Sequence, residues 1–193
     1  MVLVSEGLPP ISAIACGRSH SFMLSADGRT VFAAGQNKFS QCGPSETQLA
    51  AGLWRSFSLP RRALKLCSGW EFGAVLLEPS VDCEGSISGG TVAMWGRGDH
   101  GQLATPLQNS PTKCSQALVY VPVDNIRDIA CGSNHTIALS ALSNAVYMWG
   151  WNEHGNAGDP SLEDVYQPLR VPNLNGSVQS IGCGYGNSYI VLN

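Results

Sequence analysis

The stretch Met148–Gly158, MWGWNEHGNAG, packs two tryptophans, three glycines, a histidine and a glutamate into a few residues. Taken alone it invites a catalytic reading. Met94–Ala104, MWGRGDHGQLA, has the same layout, and Ala33–Gly43, AAGQNKFSQCG, is a weaker copy. With Gly35, Gly96 and Gly150 as anchors, the residue four later is Phe39, His100 or His154. Ser40, Gly101 or Gly155 follows, and then Gln41, Gln102 or Asn156. A motif that recurs is first of all a structural unit.

A second unit recurs in alternation with the first. Ile14–Leu24, IACGRSHSFML, matches Ile129–Leu139, IACGSNHTIAL. Leu66–Leu76, LCSGWEFGAVL, and Ile181–Val191, IGCGYGNSYIV, are looser copies. Their glycines, Gly17, Gly69, Gly132 and Gly184, lie 52, 63 and 52 residues apart. A recurrence in the range of about 50 residues marks a repeat architecture. The boundaries it suggests are repeats over 1–65, 66–128 and 129–180, with a partial closing repeat over 181–193.

Each repeat reads as short strands. HSFMLS and RTVFAAG are apolar runs joined by Ala26-Asp27-Gly28, and Asp-Gly supplies the positive φ of a tight hairpin. HTIALS and NAVYMWG form the same pair around Ala141-Leu142-Ser143. In the middle repeat GAVLL and TVAMWG are separated by Glu78–Gly90, which accounts for the longer spacing. The strands are apolar on both faces, as in a sheet packed between neighbours. The best helical candidate is Glu46–Phe57, where Leu49, Leu53, Trp54 and Phe57 could share a face, although Gly52 weakens it. Small repeated sheets with glycine and aromatic signatures predict an all-β fold, a β-propeller.

The two-part signature, Cys-Gly-x-x-His before an apolar strand and then Trp-Gly-x-x-x-x-Gly-Gln/Asn, resembles the regulator-of-chromosome-condensation repeat. The resemblance covers nearly the whole chain. It implies a seven-bladed propeller, of which this chain supplies three to four blades, about half a ring. The chain starts at a Cys-Gly unit and ends on one, so it is expected to be a C-terminal half, either a fragment or a partner for a missing half. CSGWEF, WGRGDHGQLATP and WGWNEHGNAGDP further resemble the fungal alpha-tubulin suppressor branch of the family. That branch implies a partner, a small zinc protein of diphthamide synthesis and of Elongator-dependent wobble-uridine modification of tRNA. The founding branch implies instead guanine-nucleotide exchange on a small GTPase, for which Glu78–Gly90 is the one candidate insertion.

Composition narrows the function. The 193 residues carry a net charge of −3 and only 13% charged residues, so no concentrated positive surface exists for nucleic acid. The Arg61-Arg62 and Lys65 cluster reads as a solvated turn. Met1–Pro10 lacks the pattern of a signal peptide, and no run of about 18 apolar residues suggests a membrane span. The odd count of seven cysteines, three of them (Cys16, Cys131, Cys183) in apolar runs, suits a reducing compartment, cytoplasmic or nuclear. In that setting the sequons at Asn134 and Asn175 carry little weight.

Chemical readings fail on spacing. Gly96–Gly101 fits G-x-G-x-x-G, but QLATPLQNSP cannot be the helix that holds a pyrophosphate, and GWNEHG lacks the middle glycine. Arg97-Gly98-Asp99 spells an adhesion tripeptide without the extracellular setting for it. His20 and His135 each follow a cysteine by four, but their equivalents are Phe72 and Asn187, and repeat-equivalent residues on different blades cannot converge on one ion. They are expected to be buried and to tie the turn to backbone carbonyls. Ser19-His20 and Ser40 lie in no nucleophile elbow, and the Asp99-His100 and Glu153-His154 pairs recur as architecture. No cofactor, metal or catalytic residue is expected. The glycines already named as anchors, together with His20 and His135, are assigned to the repeat itself.

What remains is a rim of loops on a rigid frame, where binding residues concentrate. The residues that break the repeat pattern are Arg18, Trp70, Glu71, Arg97, Asp99, Trp151, Glu153 and Tyr185, and His100 and His154 join them as candidates for partner contact. Trp, Tyr and Arg dominate protein interfaces. Packing between blades competes for Trp70 and Trp151.

Overall fold

The computed structural model describes residues 7–44, 47–48, 54–81, 87–106 and 114–193. Among them there is no helix, and so none long and apolar enough to cross a membrane. The strands build successive antiparallel sheets, the blades of a propeller segment. The first blade runs β1 (Ile11–Cys16), β2 (His20–Ser25), β3 (Thr30–Gly35) and β5 (Arg55–Ser58), with β4 (Thr47–Gln48) outermost. The second orders β6 (Ala63–Ser68), β7 (Phe72–Leu77), β10 (Thr91–Arg97) and β11 (Cys114–Tyr120) from inside outward. The third orders β12 (Ile126–Cys131), β13 (His135–Ser140), β14 (Val146–Gly150) and β15 (Val165–Arg170). The fourth holds β16 (Val178–Cys183) and β17 (Ser188–Leu192). The innermost strands β1, β6, β12 and β16 are neighbours in turn. A short hairpin, β8 (Ser80–Val81) with β9 (Ile87–Ser88), occupies the long connection of the second blade.

The helical candidate at Glu46–Phe57 is not a helix where it is described: residues 47–48 and 55–58 are strand. Phe57 pairs with Val31 and buries its ring against Trp95, so tertiary packing decides the segment. Residues 45–46 and 49–53 lie outside the described part.

The turn at the end of each inner strand is the same in all four blades. The amide of Gly17 donates to the His20 carbonyl at 2.9 Å, and Gly69 to Phe72 at 3.0 Å. Gly132 donates to His135 at 2.9 Å and Gly184 to Asn187 at 2.8 Å. This closure folds the fourth side chain back over the glycine. A Cβ on Gly132 would meet the His135 ring at 2.1 Å, and one on Gly69 the Phe72 ring at 1.9 Å. Gly35, Gly96 and Gly150 need glycine for two reasons: φ of +112°, +100° and +104°, and a carbonyl within 2.6 Å of where Cβ would stand.

Strand alternation explains the doubly apolar runs. In β7 and β10, Val75, Leu77, Ala93 and Trp95 face the first blade. Their neighbours Ala74, Leu76, Val92 and Met94 face the third. Each inner hairpin also carries a bulge, at Ile11/Ala13, Ala63/Lys65, Ile126/Asp128 and Val178/Ser180. Blades are then joined by one recurring bond. The Trp95 indole donates to the Gln41 carbonyl at 2.9 Å, and the Trp149 indole to the Gln102 carbonyl at 3.0 Å. Both rings are fully buried.

His20 differs from expectation in its partner. The Nε2 atom of His20 lies 3.0 Å from the Ser68 hydroxyl on the next blade, not on a backbone carbonyl. Burial lowers the His20 pKa to about 4, against the opposing charge of Glu71. Burial also lowers His135, with the Asn187 backbone opposing it.

Two outcomes follow. Gly132→Ala lowers the free energy of urea unfolding by about 2 kcal/mol or more, because the ring must leave its seat. Gly155→Ala, with φ of +75° and nothing closer than 4.0 Å to an added Cβ, costs only about 1 kcal/mol of left-handed strain. Second, a histidine pKa lower in the folded than in the unfolded chain means stability that is complete above about pH 6.5 and lost as pH falls toward 4. For His20 the loss is roughly 3 kcal/mol. His20→Phe, which installs the Phe72 solution, flattens that acid limb in urea midpoints measured from pH 7 to pH 4.

Candidate binding rim

Register places the candidate residues together. His20 pairs with Gly35, Phe72 with Gly96 and His135 with Gly150, so the turn after each inner strand and the loop after each third strand leave the sheet at one end. A bond fixes the two: Gln36 N donates to Ser19 O, Arg97 N to Glu71 O and Trp151 N to Asn134 O, at 2.8 to 2.9 Å. All ten candidates, from Arg18 to Tyr185, therefore lie on the same rim, in two groups.

The inner group surrounds the mouth between the innermost strands. Arg18 N donates to Trp70 O at 3.1 Å, Trp70 N to Ser133 O at 2.8 Å, and Ser133 N to Tyr185 O at 2.9 Å. These four residues hold one repeat position, so the ladder runs from blade to blade. The side chains stack above it. The Arg18 guanidinium stands 5.1 Å from the Trp70 ring centre, and Tyr185 meets Trp70 edge-on at 4.6 Å. Tyr185 is 70% exposed, and among the described residues no carboxylate pairs with Arg18. Beneath them lies a cleft of about 270 Å³ that Cys16, Ser68, Cys131 and Cys183 also line. Burial pushes the Cys183 thiol up to about 11, and its Sγ donates to the Ala130 carbonyl at 3.6 Å. Among the described residues no three His, Cys, Asp or Glu side chains gather to hold a metal ion.

The outer group is tied inward. Arg97 grips Asp99 through two bonds of 2.6 and 2.9 Å and Glu71 through a third of 2.5 Å, and lies 4.8 Å from the Phe39 ring centre. Burial works against the Asp99 carboxylate, but Arg97 holds it below its ordinary range. His100 Nδ1 is 2.9 Å from Asp164, and the Tyr166 hydroxyl donates to Asp99 O at 3.1 Å. Trp151 packs edge-on against His154 at 5.2 Å and donates to Glu153 at 3.2 Å. The sequence left out Ser133, Phe39, Asp164 and Tyr166. Ser133 was recoverable from its repeat position beside Arg18, Trp70 and Tyr185. The other three owe their place to strand order, which spacing does not reveal.

Similarity to known proteins agrees with this geometry. Residues 89–139 and 143–191 match the regulator of chromosome condensation (RCC1) repeat, and a second form of that repeat matches 11–41 and 126–156. The Ultraviolet-B receptor UVR8 of Arabidopsis thaliana is 33% identical over 129 residues, 65% of this chain and 26% of that protein. The secretion-regulating guanine nucleotide exchange factor of Bos taurus is 28% identical over 192 residues, 91% of this chain and 39% of that protein. The chain thus spans well under half the length of either. The crystal structure of Prp20p from Saccharomyces cerevisiae, described with its binding properties to Gsp1p and histones, superposes with a TM-score of 0.76 at 24% identity, over 94% of this chain and 43% of that one. The repeat matches, the blade order and the shared turn together place the chain in the regulator of chromosome condensation (RCC1) repeat family.

Proposed function

We propose that this chain is a non-enzymatic propeller segment that binds a protein partner through the mouth of its Cys-Gly rim, in the cytoplasm or nucleus. The observation that carries the reading is the Arg18–Trp70–Tyr185 stack. A guanidinium without a carboxylate, laid on an aromatic pair that faces solvent, is an interface anchor. The ladder beneath fixes its backbone, so little ordering remains to oppose association. Arg97, by contrast, has both carboxylates it needs within the chain. The outer residues, Glu71, Arg97, Asp99, His100, Trp151, Glu153 and His154, serve as a stiff border around the anchor.

Two partners enter this reading. Regulation of a small GTPase is favoured by the likeness to a guanine nucleotide exchange factor and to Prp20p. The small zinc protein of the diphthamide pathway rests on the alpha-tubulin suppressor resemblance of three motifs. Glu78–Gly90, the candidate wedge, leaves β7 at Leu77 and rejoins at Thr91, a pair at the opposite end of the sheet from Phe72 and Gly96. A GTPase engaged at the mouth therefore meets the end of the sheet opposite to the points where that connection is attached.

Calorimetry with the purified zinc protein and with a small GTPase separates the partners, and nucleotide-release kinetics report exchange. With whichever binds, Arg18→Ala and Trp70→Ala each weaken affinity by about 10- to 100-fold, and unchanged affinity in both removes the mouth as the site. Arg97→Ala acts differently: it lowers unfolding stability by about 1 kcal/mol, since the triad is partly solvated, and leaves affinity within about twofold.

A further inference from the structure

The second blade departs from the repeat at the end of its inner strand. The residue just before the turn glycine is Cys16, Cys131 or Cys183 in the other three blades, but Ser68 in the second. There the cysteine stands one position earlier, as Cys67, where the others have Ala15, Ala130 and Gly182. Strand alternation gives these two positions opposite faces. Side chains just before the glycine look back to the preceding blade. Ser68 meets His20 of the first blade, and the Cys183 thiol donates to the Ala130 carbonyl of the third at 3.6 Å. Side chains one position earlier look forward: Ala15 packs between the first and second blades, and Ala130 between the third and fourth. The shift therefore turns Cys67 toward the third blade, whose Cys131 is turned toward it. Both pack into the interface of the second and third blades, which has a further blade on either side.

The two strands touch where the cysteines stand. The Trp70 amide donates to the Ser133 carbonyl at 2.8 Å, three residues beyond Cys67 and two beyond Cys131. The Cys67 thiol donates to the Ile129 carbonyl of β12 at 3.6 Å. The Thr136 hydroxyl donates to Cys131 Sγ at 3.8 Å, and Cys131 in turn hydrogen-bonds to Cys67. That bond from Cys131 holds the Cys67 thiol below its ordinary range against burial; the Lys65 ammonium adds to it and Asp128, 2.6 Å from Lys65, opposes it. The same bond, together with burial, pushes the Cys131 thiol up. Cys67 is thus the attacking sulfur and Cys131 the resolving one. Neither is sealed: both are half-buried, and Cys131 lines the cleft beneath the mouth.

We propose that Cys67 and Cys131 are a dithiol that hydrogen peroxide oxidises to a disulfide, crosslinking the second and third blades. The Cys67 sulfur attacks one peroxide oxygen; an S–O bond forms, the O–O bond breaks, and Cys67 becomes a sulfenic acid as the first water leaves. The Cys131 sulfur then attacks Cys67; the S–S bond forms, the S–O bond breaks, and the second water leaves with the hydroxyl and the Cys131 proton. Two thiols give two electrons to one peroxide, which becomes two waters. The new bond closes a loop that holds the rest of the second blade, which narrows the unfolded ensemble. The dithiol is separate from the Arg18–Trp70–Tyr185 stack, and its failure leaves the proposed function untouched.

The reduced full chain is treated with hydrogen peroxide, the remaining thiols are blocked with iodoacetamide, and the unreduced digest is read by mass spectrometry. A crosslink from Cys67 to Cys131 within one chain is expected, while Cys183, which faces Ala130, carries the alkyl group. The oxidised chain unfolds at a higher urea concentration, and dithiothreitol reverses the shift. Cys67→Ala, which installs the residue of the first and third blades, abolishes both the crosslink and the shift. A crosslink that joins other cysteines, Cys67 as a sulfinic acid beside an alkylated Cys131, or the same crosslink confined to linked dimers overturns the proposal. So does an equal rise of the urea midpoint in Cys67→Ala. The crosslink is read on the native chain, so the outcome does not hang on the folding of that variant.

Discussion

The fold rests on a contact between a side chain and a missing one. At each inner strand end the amide of a glycine bonds the carbonyl three residues on, and the fourth side chain lies over the bare Cα. That contact reverses the chain in four residues and sets the next strand antiparallel to the last. It accepts imidazole, phenyl or carboxamide, as His20, His135, Phe72 and Asn187 demonstrate. What it does not accept is a Cβ. The turn is therefore geometric in origin, and the histidines in it are fillers of shape before they are chemistry.

From that turn the blades acquire a fixed hand and spacing. Alternate residues of each middle strand then feed two different interfaces, so no blade has a core of its own. The tryptophans close the arrangement by pinning the loop of one blade to the third strand of the next. Two large rings buried with their single polar atom satisfied contribute both area and direction. The rim inherits this stiffness, because its loops start one residue beyond the pinned strands.

Much of this was legible in the residues. The paired glycines, the hairpin dipeptides and the 52-residue period gave the strands, the blade class and the rim on which the odd residues gather. The ring-on-glycine contact was not legible, because spacing alone does not say that His20 and Gly17 touch. Nor was the Arg97 triad, which joins residues 26 positions apart across β7 and β10 and ties the guanidinium to two carboxylates of the chain itself. The weak helical candidate over 46–57 yields for a related reason: Leu49, Leu53, Trp54 and Phe57 could share a helical face, yet pairing with Val31 and burial against Trp95 hold Phe57 in a strand.

The long connection of the second blade has a wider consequence. Most of the extra length between Gly69 and Gly132, 63 against 52 residues, is spent between Leu77 and Thr91, which pair at the end of the sheet away from the mouth. The two ends of the blades thus answer to different constraints. One is crowded by ladders and braces and tolerates changes of side chain; the other absorbs changes of length. A repeat protein built this way can gain or shed connecting segments on its far side while the geometry of its recognition end stays as it was.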